Sequence, residues 1–259
     1  MIKSTVILNG LLLLIISSVP EIYNVRRIST GLSNPNVEFC ETFEGEKPFS
    51  QAYNIETGDW DYALQYVGSP VYRGEKSARF EIKKDQPLVK NGKRSEVTII
   101  KGLPGKDMWY SFAVYFPTDG FATDSQREVI NQWYQNGSPA TSLRVRNDRL
   151  YLETGSEKEN RKQIDIGFVT KDIWHEFVFH FIHSHSRDGL VEVWHNGKKI
   201  ITHQGGNMYN DVLPKWKIGL YKAAFKFGTS DLSKRVIYFD NIKVGNEGVS
   251  YLIMVPSRE

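Results

Sequence analysis

The sequence predicts an all-β fold, two antiparallel sheets packed face to face as a sandwich or jelly roll. Three observations carry that expectation. Short segments of alternating apolar and polar residues recur along the chain, with turn residues between them. No long stretch shows the apolar stripe of an amphipathic helix. No internal repeat, low-complexity linker or break in composition divides the chain. A length of 259 residues, 40% hydrophobic and 24% charged, suits one large β domain with its own core.

The elements follow in order. Lys3 precedes an uncharged run from Ser4 to Pro20 centred on Leu11-Leu12-Leu13-Leu14-Ile15-Ile16. That is the pattern of an export signal over residues 1–20, too short for a comfortable membrane span. It predicts a secreted or periplasmic protein with no stable membrane span once the signal is removed. Residues 21–36 are a polar lead-in, and a single β domain is expected over 37–259. Cys40 is the only cysteine, which rules out an intrachain disulfide. It lies in Val37-Glu38-Phe39-Cys40, read as a first strand with the thiol as a small buried apolar group. Alternation continues from Trp109 to Phe116 and is stopped by Pro117. Two hairpins are legible: Ser142–Arg146 and Arg149–Glu153 around Asn147-Asp148, then Leu190–His195 and Lys198–Ile201 around Asn196-Gly197.

A net charge of +3 says little about partners and gives no support for nucleic acid, but the local clusters are informative. Lys90, Lys93 and Arg94 form one, Arg144, Arg146 and Arg149 a second, and Lys215, Lys217, Lys222 and Lys226 a third. If they share a face they favour an anionic ligand. Otherwise they guard strand edges against aggregation. Aromatic residues, 13% of the chain, suit both strands and sugar-stacking surfaces.

Residues two apart on a strand share a face. Arg94 and Glu96 therefore face one way, and Ser95, Val97 and Ile99 the other. Gln132 pairs with Tyr134 in the same sense, and Lys217 with Tyr221. Gly219 between the last two leaves room for a backbone or a ligand to approach. Arg144 and Arg146 lie opposite Leu143 and Val145. Together these residues describe a sheet face carrying cations, an amide and phenols, suited to an acidic glycan.

The same motifs resemble the polysaccharide lyase superfamily of heparin lyase I, and are similar to those of glucuronan and alginate lyases. The resemblance runs from Phe43-Glu44-Gly45 through Arg94-Ser95-Glu96, Asn131-Gln132-Trp133, Trp174–Val178, Gly189–Gly197 and Lys217–Tyr221 to Tyr238–Gly245. It implies a concanavalin A-like jelly roll and β-elimination on an acidic polysaccharide containing uronic acid, sulfated or not. Tyr221 is then the general acid, with a base role open to it as well, and Lys217 its charge partner. Gln132 and Arg94 would hold the uronate carboxylate, with Glu96 orienting Arg94. Arg144, Arg146 and Lys215 are further substrate-binding candidates. No cofactor is expected beyond the structural calcium of some relatives, and a monomer is expected.

Two departures stand out. Relatives carry His where this chain has Tyr134, so Tyr134 either replaces the base or marks a loss of activity. Lys215 stands where alginate lyases have Tyr, which speaks against alginate. His180, His183 and His185 are other sources of a base, and their spacing matches no defined metal site. A non-catalytic, lectin-like glycan-binding domain is the alternative. A glycoside hydrolase would need two carboxylates flanking the cleft, and no such cluster is visible.

Overall fold

The computed structural model describes residues 34–135 and 137–256, so the expected export signal lies outside the described residues. In chain order the strands are β1 (Val37–Glu41), β2 (Asn54–Glu56), β3 (Leu64–Val67), β4 (Ser77–Lys83), β5 (Arg94–Ile100) and β6 (Asp107–Tyr115). Then come β7 (Glu128–Gln135), β8 (Ser138–Arg146), β9 (Arg149–Thr154), β10 (Lys162–Phe168), β11 (Trp174–Ile182), β12 (Leu190–His195) and β13 (Lys198–Gln204). β14 (Lys215–Tyr221) and β15 (Lys234–Asn246) complete the set, with short helices α1 (Ala223–Phe227) and α2 (Tyr251–Met254).

These strands form a jelly roll of two antiparallel sheets. The back sheet runs β13-β12-β11-β6-β15-β4-β3, with β1 also paired to β15. The front sheet runs β10-β9-β8-β7-β14-β5-β2. The core lies between them. Val97, Ile99, Trp133, Leu143, Val145, Leu152, Trp216 and Ile218 face inward from the front sheet, and Phe80, Phe112, Phe177, Phe179 and Phe239 meet them from the back. Rings touch across the gap, Trp133 to Phe179 at 5.1 Å and Tyr110 to Trp216 at 5.0 Å between centroids. Burying each such side chain contributes roughly 1.5–3 kcal/mol, so a one-residue slip that turned a strand over would be strongly disfavoured. The inward set thereby fixes which polar residues point outward.

The expected hairpins form as read. Asn147 and Asp148 have φ of 51° and 54°, and Asn196 and Gly197 have φ of 48° and 82°. Two successive positive φ values give the turn whose twist matches the flanking strands. Cys40 corrects its expectation. It is only part-buried, against the small cluster of Val37, Val178, Val249 and Met254 rather than in the main core. Among the described residues no helix is long and apolar enough to cross a membrane.

Candidate active site

Strand pairing lines up the outward residues of the front sheet in rows that cross the strands. One row runs Arg94, Tyr221, Val129, Arg144, Tyr151 over β5, β14, β7, β8 and β9. A second runs Thr98, Lys217, Gln132, Ser142, Glu153 over the same strands. A cleft of about 240 Å³ opens above them, lined by Arg94, Gln132, Tyr134, Arg144 and Tyr221, with Arg127, Arg161, Gly137, Ser138 and Pro139 as further walls.

The floor is a dense ionic layer. Glu96, 1% exposed, accepts from Arg94 Nη1 at 3.1 Å and from the Gln132 amide. That contact fixes Gln132 with its nitrogen toward Glu96, leaving the amide one further N–H. Burial raises the Glu96 carboxyl, against the lowering effect of Arg94, Lys217 and Gln132. Glu56 comes from β2, at the sheet edge. Its two oxygens each take a bond from Lys217 Nζ at 2.8 Å, and it also accepts from Arg94 at 3.2 Å and Thr98 at 2.9 Å. Burial works to raise Glu56, but Lys217 above all, then Thr98 and Lys90, overcome it and hold the carboxyl at about 2. Arg94 is an intermediary: its Nη1 spans both carboxylates, while its guanidinium carbon lies 4.9 Å from the Tyr221 ring centre.

Tyr221 and Tyr134 are both part-buried in this cleft. Lys217 Nζ sits 4.9 Å from the ring centre of Tyr134, so the lysine contacts Glu56 and Tyr134 where a Tyr221 partnership was expected. Behind Tyr221 stands Gly92. A Cβ there would come within 2.6 Å of Tyr221 Cε2 and 2.9 Å of Arg94 Nη2, so the missing side chain makes room for both.

Several sequence expectations are placed differently. Gly219 admits a strand, not a ligand: its φ is +115°, and a Cβ would lie 2.3 Å from the Ser95 carbonyl oxygen. Arg146 is exposed at the β8 hairpin end, and neither it nor Lys215 lines the cleft. The three histidines lie away from it. His180 on the back sheet bonds Glu192 at 3.0 Å and Asp107 at 2.9 Å and stacks on Trp109 at 4.2 Å. His183 is fully buried, 2.8 Å from the Tyr110 hydroxyl, and burial pulls it down to about 3. His185 pairs with Asp211 at 3.2 Å. Among the described residues no three His, Cys, Asp or Glu side chains converge as a metal donor set. Sequence reading missed Glu56 beneath the cleft and Arg127 and Arg161 in its wall, since no local pattern marks them and only the tertiary structure brings these separate segments together.

Comparison with known proteins meets this geometry at one point: residues 42–243 match the family model described as Polysaccharide lyase. The chain belongs to the polysaccharide lyase family. It is a lyase enzyme whose substrate is a polysaccharide. Among solved structures, the endo-β-1,4-glucuronan lyase of the fungus Trichoderma reesei is similar over 86% of this lyase and 100% of its own chain, at 17% identity and TM-score 0.69. Alginate lyase Aly36B is similar over 82% and 98%, at 12% identity and TM-score 0.55. The cellulose induced protein Cip1 is similar over 80% and 97%, at 13% identity and TM-score 0.57. At such identities these structures share the fold. Comparison with curated protein sequences finds no match.

Proposed function

We propose that this lyase cuts a uronic-acid-containing polysaccharide by β-elimination, with Tyr134 and Tyr221 as its proton-transfer groups. The observation that carries the reading is a cleft in which two phenols flank Gln132 and Arg94, both held by Glu96. The C5 proton of a uronate is α to a carboxylate and is removed only if the developing negative charge is stabilised. Preorganised donors in a buried floor do this well, because they need no reorganisation as charge develops. In the proposed arrangement the free N–H of Gln132 and the Arg94 guanidinium meet the carboxylate. One phenolate takes the C5 proton, the electron pair forms the C4–C5 double bond, the C4–O4 bond breaks, and a phenol protonates O4. Tyr221 beside Arg94 is assigned to O4 and Tyr134 beside Lys217 to C5.

Hydrolysis by paired carboxylates has less support. Glu56 and Glu96 adjoin the cleft, but both are committed to Lys217, Arg94 and Gln132, with neither free to act as acid or nucleophile. Export with removal of residues 1–20, and a monomeric state, belong to this proposal.

The test is ultraviolet detection of unsaturated uronate from a panel of glucuronan, hyaluronan, chondroitin sulfate, heparan sulfate, heparin and alginate. Tyr221→Phe and Tyr134→Phe are each expected to lower kcat by ~10²–10⁴. Cleavage that yields no unsaturated product, or full activity in both variants, refutes the mechanism.

A further inference from the structure

The cleft continues over β8 and β9 into a charge imbalance that elimination does not use. Glu153, 2% exposed, pairs with Arg161 at 2.8 Å, Arg127 at 3.2 Å and Arg144 at 3.4 Å. Three guanidinium groups share one carboxylate, and all three line the cleft. The other bonds of this group go to neutral atoms, from Arg161 to the Pro139 carbonyl at 2.7 Å and from Arg144 to the Ser142 hydroxyl at 2.9 Å.

That arrangement exceeds what a buried carboxylate requires. Arg144 is 7% exposed, and burial pulls its guanidinium down to about 10, opposed by Glu153 and reinforced by Arg127 and Arg161. Arg144 is buried and Arg161 part-buried beside this one carboxylate, with the half-exposed Arg127 adding a third charge, and holding them together is unfavourable unless a counter-anion joins them. Two buried polar atoms here also have no protein partner, the Tyr151 hydroxyl and Arg161 Nε. Tyr151 follows Arg144 in the row that contains Tyr221. Arg144 stands two strands from Tyr221, about 10 Å at ordinary strand spacing. A glycan crossing the strands along that row brings a neighbouring sugar to the arginines.

We infer that Arg127, Arg144 and Arg161, gathered on Glu153, form a second anion subsite for a carboxylate or sulfate ester on a sugar neighbouring the cleaved uronate. The substrate class is then a glycan with closely spaced charges, and an isolated uronate in a neutral chain is a poor substrate. This rests on the elimination reading for the position of the cleaved sugar, and on the arginines alone for the anion.

Two matched polymer pairs separate the sources of charge. Polyglucuronate against its partially carboxyl-reduced form tests the carboxylate, and chondroitin sulfate against unsulfated chondroitin tests the sulfate. Binding is measured by calorimetry on Tyr221→Phe protein, so that turnover plays no part, and kcat/KM on the active enzyme. The more highly charged member of at least one pair is expected to bind about 10- to 100-fold more tightly. Arg127→Gln should narrow that ratio and Arg127→Gln/Arg161→Gln should narrow it further, with the larger loss on the more highly charged member. Arg127 is half-exposed, and its loss leaves Glu153 two partners, so the single variant is expected to keep the wild-type melting temperature. Equal binding within both pairs, no binding to any polymer, or an equal loss on both members in Arg127→Gln overturns the inference. Charge-dependent binding without unsaturated product would refute the elimination reading and leave the subsite standing.

Discussion

Glu56→Gln probes the ionic floor most directly. Glu56 is 5% exposed and bonded to Lys217, Arg94 and Thr98, and its carboxyl is held at about 2 against an ordinary 4.5. The folded-state value is depressed, so the stabilisation is present in full above pH 4.5 and is lost as pH falls through about 2. At ~1.4 kcal/mol per unit the carboxylate contributes about 3 kcal/mol at pH 7 and about 1 kcal/mol at pH 3. Glutamine keeps the shape and removes the charge, leaving Lys217 as a buried cation without its carboxylate. Urea denaturation of wild type and variant at both pH values reads the effect. The expected difference is about 3 kcal/mol at pH 7, shrinking by about 2 kcal/mol at pH 3. A difference that does not change with pH would show that packing, not charge, is what Glu56 supplies, and the account of the floor would fail.

Three further expectations concern the wall behind Tyr221 and two buried titratable groups elsewhere in the fold. Gly92→Ala pushes a methyl into Tyr221 and Arg94, and should lower kcat about 10-fold or more, as expected for a small misplacement of catalytic groups, with the melting temperature little changed. Unaltered kcat would show that Tyr221 is not held from behind by this turn. His183, pulled down to about 3 by burial, should show no NMR ring titration in the folded protein between pH 7.5 and 4.5, and a midpoint near the ordinary 6.5 would refute its burial. Its folded value is depressed, so its contribution is complete above pH 6.5 and falls by about 2 kcal/mol at pH 5. Asp240 works the other way. Burial raises it to about 7 despite backbone N–H bonds from Arg73, Asn241 and Tyr72, so its contribution is lost as pH rises through that value. The whole-protein profile between pH 5 and 7 is therefore expected to be flatter than His183 alone would give.

The sequence by itself determined the jelly roll and the direction of each strand's side chains. Strand periodicity is local: Val97 and Ile99 inward require Arg94, Glu96 and Thr98 outward, whichever strands lie alongside. The Asn147-Asp148 and Asn196-Gly197 turns were legible for a similar reason, since few residues tolerate two positive φ values in succession. Only the tertiary structure decided which strands share a sheet. His180 follows the same alternation as Tyr134, yet β11 joins the back sheet, from which no side chain reaches the cleft. Glu56 sits on a three-residue strand whose sequence has no distinguishing mark, and it neutralises Lys217 because β2 pairs with β5. The gathering of Arg127, Arg144 and Arg161 on Glu153 likewise draws on separate segments. Burial and ion pairing depend on neighbours distant in the chain, so the sequence could name the outward residues but not say which would be paired, buried or left open to a substrate.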